Sequence, residues 1–466
     1  MNLTNPTLLG LSMAGLLAFP SGCKEKSPAA AHTPDKPNII IILPDDIGWA
    51  DVGYHGSDVK TPHIDQLAAS GIVFNQHYVS PTCTPTRVGL ITGLYPSRYG
   101  VLGPAYGEVI NLDDPTMASV LAENGYFTAI NGKWHMGSPP YTPLQYGFQS
   151  SYGYFDGQID PYTHEYKTET ELTDRRSWHR NDEYLDESGV HVTDLITAEA
   201  VRIIEEDREE PFFLYVAHHV PHFPLDEPDE WMSVYDDVLL MHPSRKLFAA
   251  SVTHMDDGIG KIVDALERTG KRENTLIIFV SDNGGQRSWH SETEYRGYYA
   301  DKPHTVLGNN FPLRGWKGDL YEGGIRVPAL INWPGQLEPG TIDMPIHITD
   351  WLPTICALTG CSQDLRPDLD GRNIWPVLTG QDPPQANRPI YWKTRRQYAV
   401  RDGDWKLLVD LNSNTVELYD LGNDFRETRD LSAAHPEKVT NLMALLEKFM
   451  EGDRYPAVPK LDWSIY

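Results

Sequence analysis

Along this chain, short wholly apolar runs alternate with stretches whose apolar residues recur at helical spacing, and that alternation leaves few folds open. Asn38–Leu43, Phe127–Asn131, Phe212–Ala217 and Thr275–Ser281 are strands of the type buried on both faces. Between them lie the helical patterns Val192–Glu206 and Lys246–Arg268; in the second, Met255, Ile259, Ile262 and Leu266 fall on one face. Buried strands joined through amphipathic helices predict an α/β fold, a large, mostly parallel sheet sandwiched by helices. At 466 residues the chain is long enough for such a domain and a smaller appendage.

The texture changes beyond about residue 384. Short alternating runs at Ile390–Trp392, Tyr398–Arg401, Trp405–Val409 and Glu417–Asp420 are separated by turn residues at Asp402-Gly403 and Asn412–Asn414, and a helical pattern covers Pro436–Met450. This predicts a small C-terminal antiparallel sheet with one packed helix, over 385–466, after a main domain over 37–384. Two stretches fit neither pattern. Gln149–Tyr184 and Gln286–Asn310 are rich in aromatics, His, Gly and charge, and are expected to be functional rim loops.

The amino-terminal segment reads as an address. Leu8–Phe19 is apolar but too short to span a bilayer, and small residues follow it up to Cys23. Residues 1–23 are expected to be an export signal, with a lipoprotein-type acylation of Cys23 left open because no Lys or Arg precedes the apolar run and Pro20 is unusual there. The Lys/Ala/Pro-rich stretch 24–36 is a linker, and the expected location is a bacterial periplasm or cell surface. Of the four cysteines, Cys356 and Cys361 are available for a disulfide that their spacing does not require. The chain carries 39 Lys and Arg against 65 Asp and Glu, a net charge of −26, which argues against nucleic acid as a partner.

Ligands of open parallel sheets bind beyond the carboxyl ends of the strands, so the residues that follow each strand matter most. Asp45 and Asp46 follow the first strand, and Asp282, Asn283, Gly284 and Gly285 follow Thr275–Ser281. Lys133 and His135 follow Phe127–Asn131, and His218, His219 and His222 follow Phe212–Ala217. Asp45, Asp46, Asp282 and Asn283 offer only oxygen, a donor set for a hard cation such as Ca2+ or Mg2+. From these residues alone, a helix cap at Asp45 and an ordinary Asp-Asn-Gly turn explain the pattern equally well.

One segment decides between these readings. Ser80–Gly100 contains Cys83-Thr-Pro85-Thr-Arg87 followed by Thr92-Gly93-Leu-Tyr-Pro96. It resembles the signature of the type I, formylglycine-dependent sulfatases of the alkaline phosphatase superfamily, Cys-x-Pro-x-Arg followed by Thr-Gly-x-x-Pro. The resemblance extends over most of the chain, through Asn38–Gly48, Gly132-Lys-Trp-His-Met-Gly137, Val220-Pro-His-Phe-Pro224, Ser281–Gly285 and Pro312–Gly324. Arg401-Asp-Gly-Asp-Trp-Lys406 resembles the family's small C-terminal subdomain. Trp316, before Lys317, departs from the small or polar residue common there.

The resemblance implies a sulfuric ester hydrolase. Cys83 would be oxidised after translation by a formylglycine-generating maturation enzyme, and its hydrated aldehyde would attack sulfur, passing through a covalent sulfo-enzyme. One Ca2+ per chain would be held by Asp45, Asp46, Asp282, Asn283 and the matured Cys83. Arg87 would orient the diol, Lys133 and His135 would contact sulfate and diol, and His135 would be the base that regenerates the aldehyde. His222 and Lys317 would hold sulfate oxygens and protonate the departing alcohol; His218 and His219 would pack. A sulfated poly- or oligosaccharide is the expected substrate, with Trp289, His290, Tyr295, Arg296 and His304 as its contacts, because aromatics stack on sugars and Arg and His contact anions. Asp282–Gln286 with Asn309–Arg314 is most similar to the arylsulfatase B or galactosamine-sulfatase branch, which points to a galacto-configured sugar. Two other readings stay open: a formylglycine-dependent phosphodiesterase or phosphonate hydrolase, and a glycan-binding homologue without catalysis if Cys83 stays a thiol.

Overall fold

The computed structural model describes residues 36–166, 175–238, 241–289, 306–361, 365–384 and 388–455. Residues 1–35, which carry the expected export signal, Cys23 and nearly all of the expected linker, lie outside the described residues. Lys36–Tyr466 clusters as one compact unit.

Its spine is a ten-stranded sheet. Across it the strands run Gly340–Ile342, Ile72–Phe74, Ala329–Asn332, Thr275–Val280, Asn38–Ile42, Phe212–Ala217, Phe127–Lys133, Ser150–Tyr154, Trp178–Arg180 and Glu183–Tyr184. The five strands from Thr275–Val280 to Ser150–Tyr154 are parallel. Antiparallel strands flank them on both sides: Ala329–Asn332 against Thr275–Val280, and Trp178–Arg180 against Ser150–Tyr154.

The unbroken apolar strands follow from the two covered faces. Ile39 and Ile41 belong to one hydrophobic cluster, and Ile40 and Ile42 to the other. The helices Val192–Glu205 and Pro243–Arg268 seal the second cluster, and Met255, Ile259, Ile262 and Leu266 are buried there as their spacing predicts. On the opposite face the helix Cys83–Thr92 has all ten residues buried and stops at Gly93, whose φ of 67° closes its last turn.

The C-terminal sheet is antiparallel, in the order Ile390–Lys393, Gln397–Asp402, Trp405–Asp410 and Thr415–Asp420, and the helix Pro436–Met450 packs on it through Leu442, Leu446 and Met450. Its core continues into Tyr78, Tyr95, Leu320 and Ile325. Buried charge ties the same junction: Lys406 Nζ lies 3.0 Å from Glu322 Oε1 and 2.8 Å from Glu427 Oε1, and Tyr78 Oη donates to Glu322 Oε2 at 2.7 Å.

One expectation holds only in part. Gln149–Tyr184 supplies three strands at an edge of the main sheet, and of its described residues Gly157 and Gln158 line a cavity. Tyr152, Tyr154 and His164 are buried rather than presented to a ligand, and Arg180 forms an ion pair with Glu199. These strands escape pattern recognition because Tyr, Trp and His stand where aliphatic residues mark the central ones. Cys356 and Cys361 are buried and not disulfide-bonded.

Candidate active site

Parallel neighbours end together, so the sheet delivers its polar strand ends to one place. Asn38–Ile42 lies between Thr275–Val280 and Phe212–Ala217, in a register that pairs Ile42 with Phe279 and with Val216. Asp45 and Asp46 therefore meet Asp282 and Asn283. The Asp46 N–H donates to Asp282 Oδ1 at 3.2 Å, and Asn283 Nδ2 donates to Asp46 Oδ1 at 2.7 Å. All four side chains are buried. Asp46 and His135 hold left-handed backbone conformations, φ 79° and 51°, that aim their polar side chains into the site.

Cys83 is the first residue of its helix, after Thr82, and its Sγ lies 3.2 Å from His135 Nδ1. Donor atoms of Asp45, Cys83 and Asp282 lie within 4.8 Å of one another. Arg87, one helical turn after Cys83, points inward: its Nη2 donates to Asp282 Oδ2 at 2.8 Å, and its Nη1 to Lys133 O at 3.1 Å and Tyr215 Oη at 3.2 Å. Lys133 Nζ forms an ion pair with Asp45.

Lys317 reaches the group from a distant segment, and backbone bonds explain its aim. Its N–H donates to Gly285 O at 3.2 Å, the next N–H, of Gly318, donates to Pro81 O at 2.8 Å, and Gly284 N donates to Gly324 O at 3.0 Å. The segment is thus fastened both to the acidic turn and to the strand end before Cys83. Gly284 permits this closeness, since a Cβ there would sit 1.8 Å from Gly323 O. Lys317 Nζ ends 2.6 Å from Asp46 Oδ1.

The electrostatics of the acidic group suit a bound cation. Burial disfavours the Asp45 carboxylate, but Lys133, Lys317 and Arg87 hold it well below the usual range. For Asp46 and Asp282, burial and the neighbouring Asp45 charge prevail and push the carboxyls up. Asp45 Oδ1 and Asn283 Oδ1 are buried without a hydrogen-bond partner. Crowded carboxylates and two oxygens without partners are hard donors, a set whose chemistry fits a hard cation such as Ca2+.

Burial, with Lys133 and Arg87, lowers His135, and burial with Lys317 lowers His222, so both imidazoles are neutral near pH 7. His222 Nδ1 donates to the Phe223 carbonyl at 2.5 Å, which leaves Nε2 as its bare nitrogen. Lys317 is held protonated: burial opposes its charge, and Asp46 outweighs it. His218 and His219 are fully buried, and His219 Nε2 donates to Pro224 O at 2.9 Å.

A cavity of about 570 Å³ opens over these groups, with Cys83, His135, His222 and Lys317 in its wall. Trp316 and Trp289 also line it; Trp289 stacks on Phe223 at 5.3 Å between ring centroids and meets His222 edge-on at 5.8 Å. His290, Tyr295, Arg296 and His304 lie outside the described residues. Sequence reasoning missed Pro104 and Tyr106 in this wall, while Gly157 and Gln158 come from the expected rim segment Gln149–Tyr184. Tyr106, 59% exposed beside His135, had no signal beyond being an aromatic residue in a Gly/Pro-rich stretch.

Comparisons with known proteins agree with this geometry. Residues 37–361 match the family model "Sulfatase", and 315–454 match "N-sulphoglucosamine sulphohydrolase, C-terminal". Mouse (Mus musculus) arylsulfatase J is 32% identical over an alignment covering 91% of this chain and 77% of that protein. Mouse N-acetylgalactosamine-6-sulfatase is 29% identical, covering 96% and 85%. Among solved structures, Ps i-CgsB in complex with k-i-k-neocarrahexaose superposes with a TM-score of 0.80 at 33% identity, covering 91% of this chain and 94% of that one. The chain belongs to the sulfatase family and is a sulfuric ester hydrolase.

Proposed function

We propose that this sulfatase removes sulfate from a galacto-configured unit of a sulfated oligo- or polysaccharide, with Cys83 matured to formylglycine as its nucleophile. The observation that carries the reading is the position of Cys83 Sγ, 3.2 Å from a neutral His135 and in one group with Asp45 and Asp282, under a cavity walled by His222 and Lys317. The glycan reading is supported by the neocarrahexaose bound to Ps i-CgsB and by the name of the galactosamine-sulfatase relative.

Matured, Cys83 would carry a hydrated aldehyde. One hydroxyl would attack sulfur as the sulfur–oxygen bond to the sugar breaks and the alcohol leaves, and loss of the other hydroxyl's proton would re-form the aldehyde and expel sulfate. Ca2+ held by Asp45, Asp46, Asp282 and Asn283 would acidify the attacking hydroxyl and draw charge from the sulfate oxygens. The remaining work falls to the protein's own side chains. Arg87, fixed by Asp282, Tyr215 and Lys133 O, keeps the helix start and the acidic turn in register. Lys317, held protonated in the cavity wall, is a proton donor for the departing alcohol. His222 is neutral there, and an arriving sulfate anion favours its protonation, which makes Nε2 a second donor toward the sugar oxygen. His135 Nε2 is buried without a partner and Nδ1 faces Cys83, an arrangement that can take the second hydroxyl's proton.

Maturation by a formylglycine-generating enzyme acting on the Cys83–Arg87 segment belongs to the same proposal, as does export. A paired assay tests it: an aryl sulfate against an aryl phosphodiester, and then a panel of defined sulfated oligosaccharides. Sulfate release from the aryl sulfate and from galacto-configured sugars supports it. Preference for the phosphodiester, or binding of glycans without turnover by matured protein, contradicts it.

A further inference from the structure

A second cavity, of about 350 Å³, adjoins the catalytic one. The two share Pro104 in their walls, and they meet at two consecutive pairs: Thr82 lines the second and Cys83 the first, Gly318 the second and Lys317 the first. The far wall of the second cavity comes from the C-terminal sheet, from the turn that carries Arg395 and Arg396. That turn is fixed by its own backbone. Thr394 Oγ1 accepts from Arg396 N at 3.2 Å and from Gln397 N at 2.9 Å, and Leu411 N donates to Arg396 O at 2.9 Å.

The charge on this turn is unusual for the chain. Acidic residues outnumber basic ones, 65 to 39, and the arginines that brace the fold are paired: Arg87 with Asp282, Arg98 with Asp370, Arg245 with Asp51, Arg388 with Asp350. Arg395 and Arg396 are exposed and adjacent in sequence, and among the described residues no hydrogen bond or ion pair holds either guanidinium group. The acidic residue in the same wall, Asp319, has its Oδ2 occupied by Trp316 N at 2.9 Å. A guanidinium presents a planar fork of donors that suits a tetrahedral oxyanion, and charge-assisted bonds to it are about twice as strong as neutral ones.

We propose that Arg395 and Arg396 form a second anion-binding subsite, which holds a sulfate group on a neighbouring residue of the same oligosaccharide while another sulfate is cleaved at Cys83. This rests on the sulfated-glycan reading above and deepens it: the preferred substrate is an extended, multiply sulfated chain that crosses the Pro104 ridge between the cavities. The C-terminal sheet thereby selects substrate as well as completing the fold.

The test is steady-state kinetics of matured wild type and the double variant R395A/R396A on three substrates: 4-nitrophenyl sulfate, a monosulfated disaccharide and a multiply sulfated galacto-hexasaccharide. The expected result is a KM for the hexasaccharide raised about tenfold in the variant, as for loss of two solvent-exposed charge-assisted contacts. Its kcat stays within about twofold, both smaller substrates are unaffected, and R395K/R396K recovers part of the loss. Added salt erodes the wild-type preference for the hexasaccharide and leaves the variant unmoved. An unchanged hexasaccharide KM in the double variant overturns the subsite while leaving the glycan reading intact. A wild type that cleaves only the aryl sulfate overturns both. Because both side chains are exposed, an unchanged melting temperature separates binding loss from misfolding.

Discussion

Lys317 Nζ lies 2.6 Å from Asp46 Oδ1, so a protonated donor in the wall of the catalytic cavity is moored to a residue of the proposed cation site. The same ammonium neutralises an acidic turn and faces the place where a sugar alkoxide departs. Lys317→Ala is expected to lower kcat by about a hundredfold or more for a carbohydrate sulfate. The loss should be much smaller for 4-nitrophenyl sulfate, whose phenolate leaves without protonation. Equal losses on both substrates would remove Lys317 from leaving-group protonation.

Gly157 sits against the imidazole of His135: a Cβ there would lie 2.7 Å from both Cε1 and Nε2. Gly157→Ala is therefore expected to push the ring from its place and lower kcat at least tenfold, with stability changed by about 1 kcal/mol or less. Kinetics with thermal unfolding of the same preparation check this. A variant with full kcat would show that the ring position is not critical.

His254 bridges two carboxylates away from the catalytic site, with Nδ1 2.8 Å from Glu227 Oε2 and Nε2 3.2 Å from Asp194 Oδ1. Burial opposes its charge, but the hydrogen bonds to Asp194 and Glu227 prevail and raise its pKa to about 9. A cation whose folded pKa exceeds its unfolded value of about 6.5 stabilises fully below that value, and the contribution disappears as pH rises through the folded one. Allowing for the half-exposed Asp194, the contribution is on the order of 2 kcal/mol. The melting-temperature gap between wild type and His254→Gln should be wide at about pH 6 and close toward about pH 9.5. A gap that widens with rising pH would contradict the assignment.

Lys406 is fully buried between Glu322 and Glu427, and deleting its charge leaves two carboxylates facing each other. Lys406→Met is expected to cost about 3–5 kcal/mol of stability. Denaturant unfolding measures it; KM of the surviving folded fraction should not change.

How much of this was legible in the sequence depended on whether local pattern or distant contact fixed each element. Asn38–Ile42 and Thr275–Val280 were readable because both faces are covered and every residue after the first is apolar. Asp45, Asp46, Asp282 and Asn283 followed from parallel strands ending together. The edge strands Ser150–Tyr154 and Trp178–Arg180 were not readable: their Tyr, Gly, Trp and His residues look like loop composition, and pairing in the sheet overrides it. Lys317 could be named only by family resemblance, since its aim comes from backbone bonds to Gly285 and, through Gly318, to Pro81, which no local pattern predicts. Arg395 and Arg396 stand in a stretch with no motif of its own, and only the folded chain sets them beside the catalytic cavity.

Everything proposed for catalysis requires that Cys83 work as an aldehyde hydrate and not as a thiol. Mass spectrometry of the Ser80–Arg87 peptide, run on the same preparations as a sulfatase assay and with graded co-expression of a formylglycine-generating enzyme, tests this directly. The predicted result is a peptide lighter by the exchange of one sulfur and two hydrogens for one oxygen, in a fraction proportional to specific activity, with none in the inactive Cys83→Ala protein. Full turnover from protein whose Cys83 is entirely thiol would contradict the account.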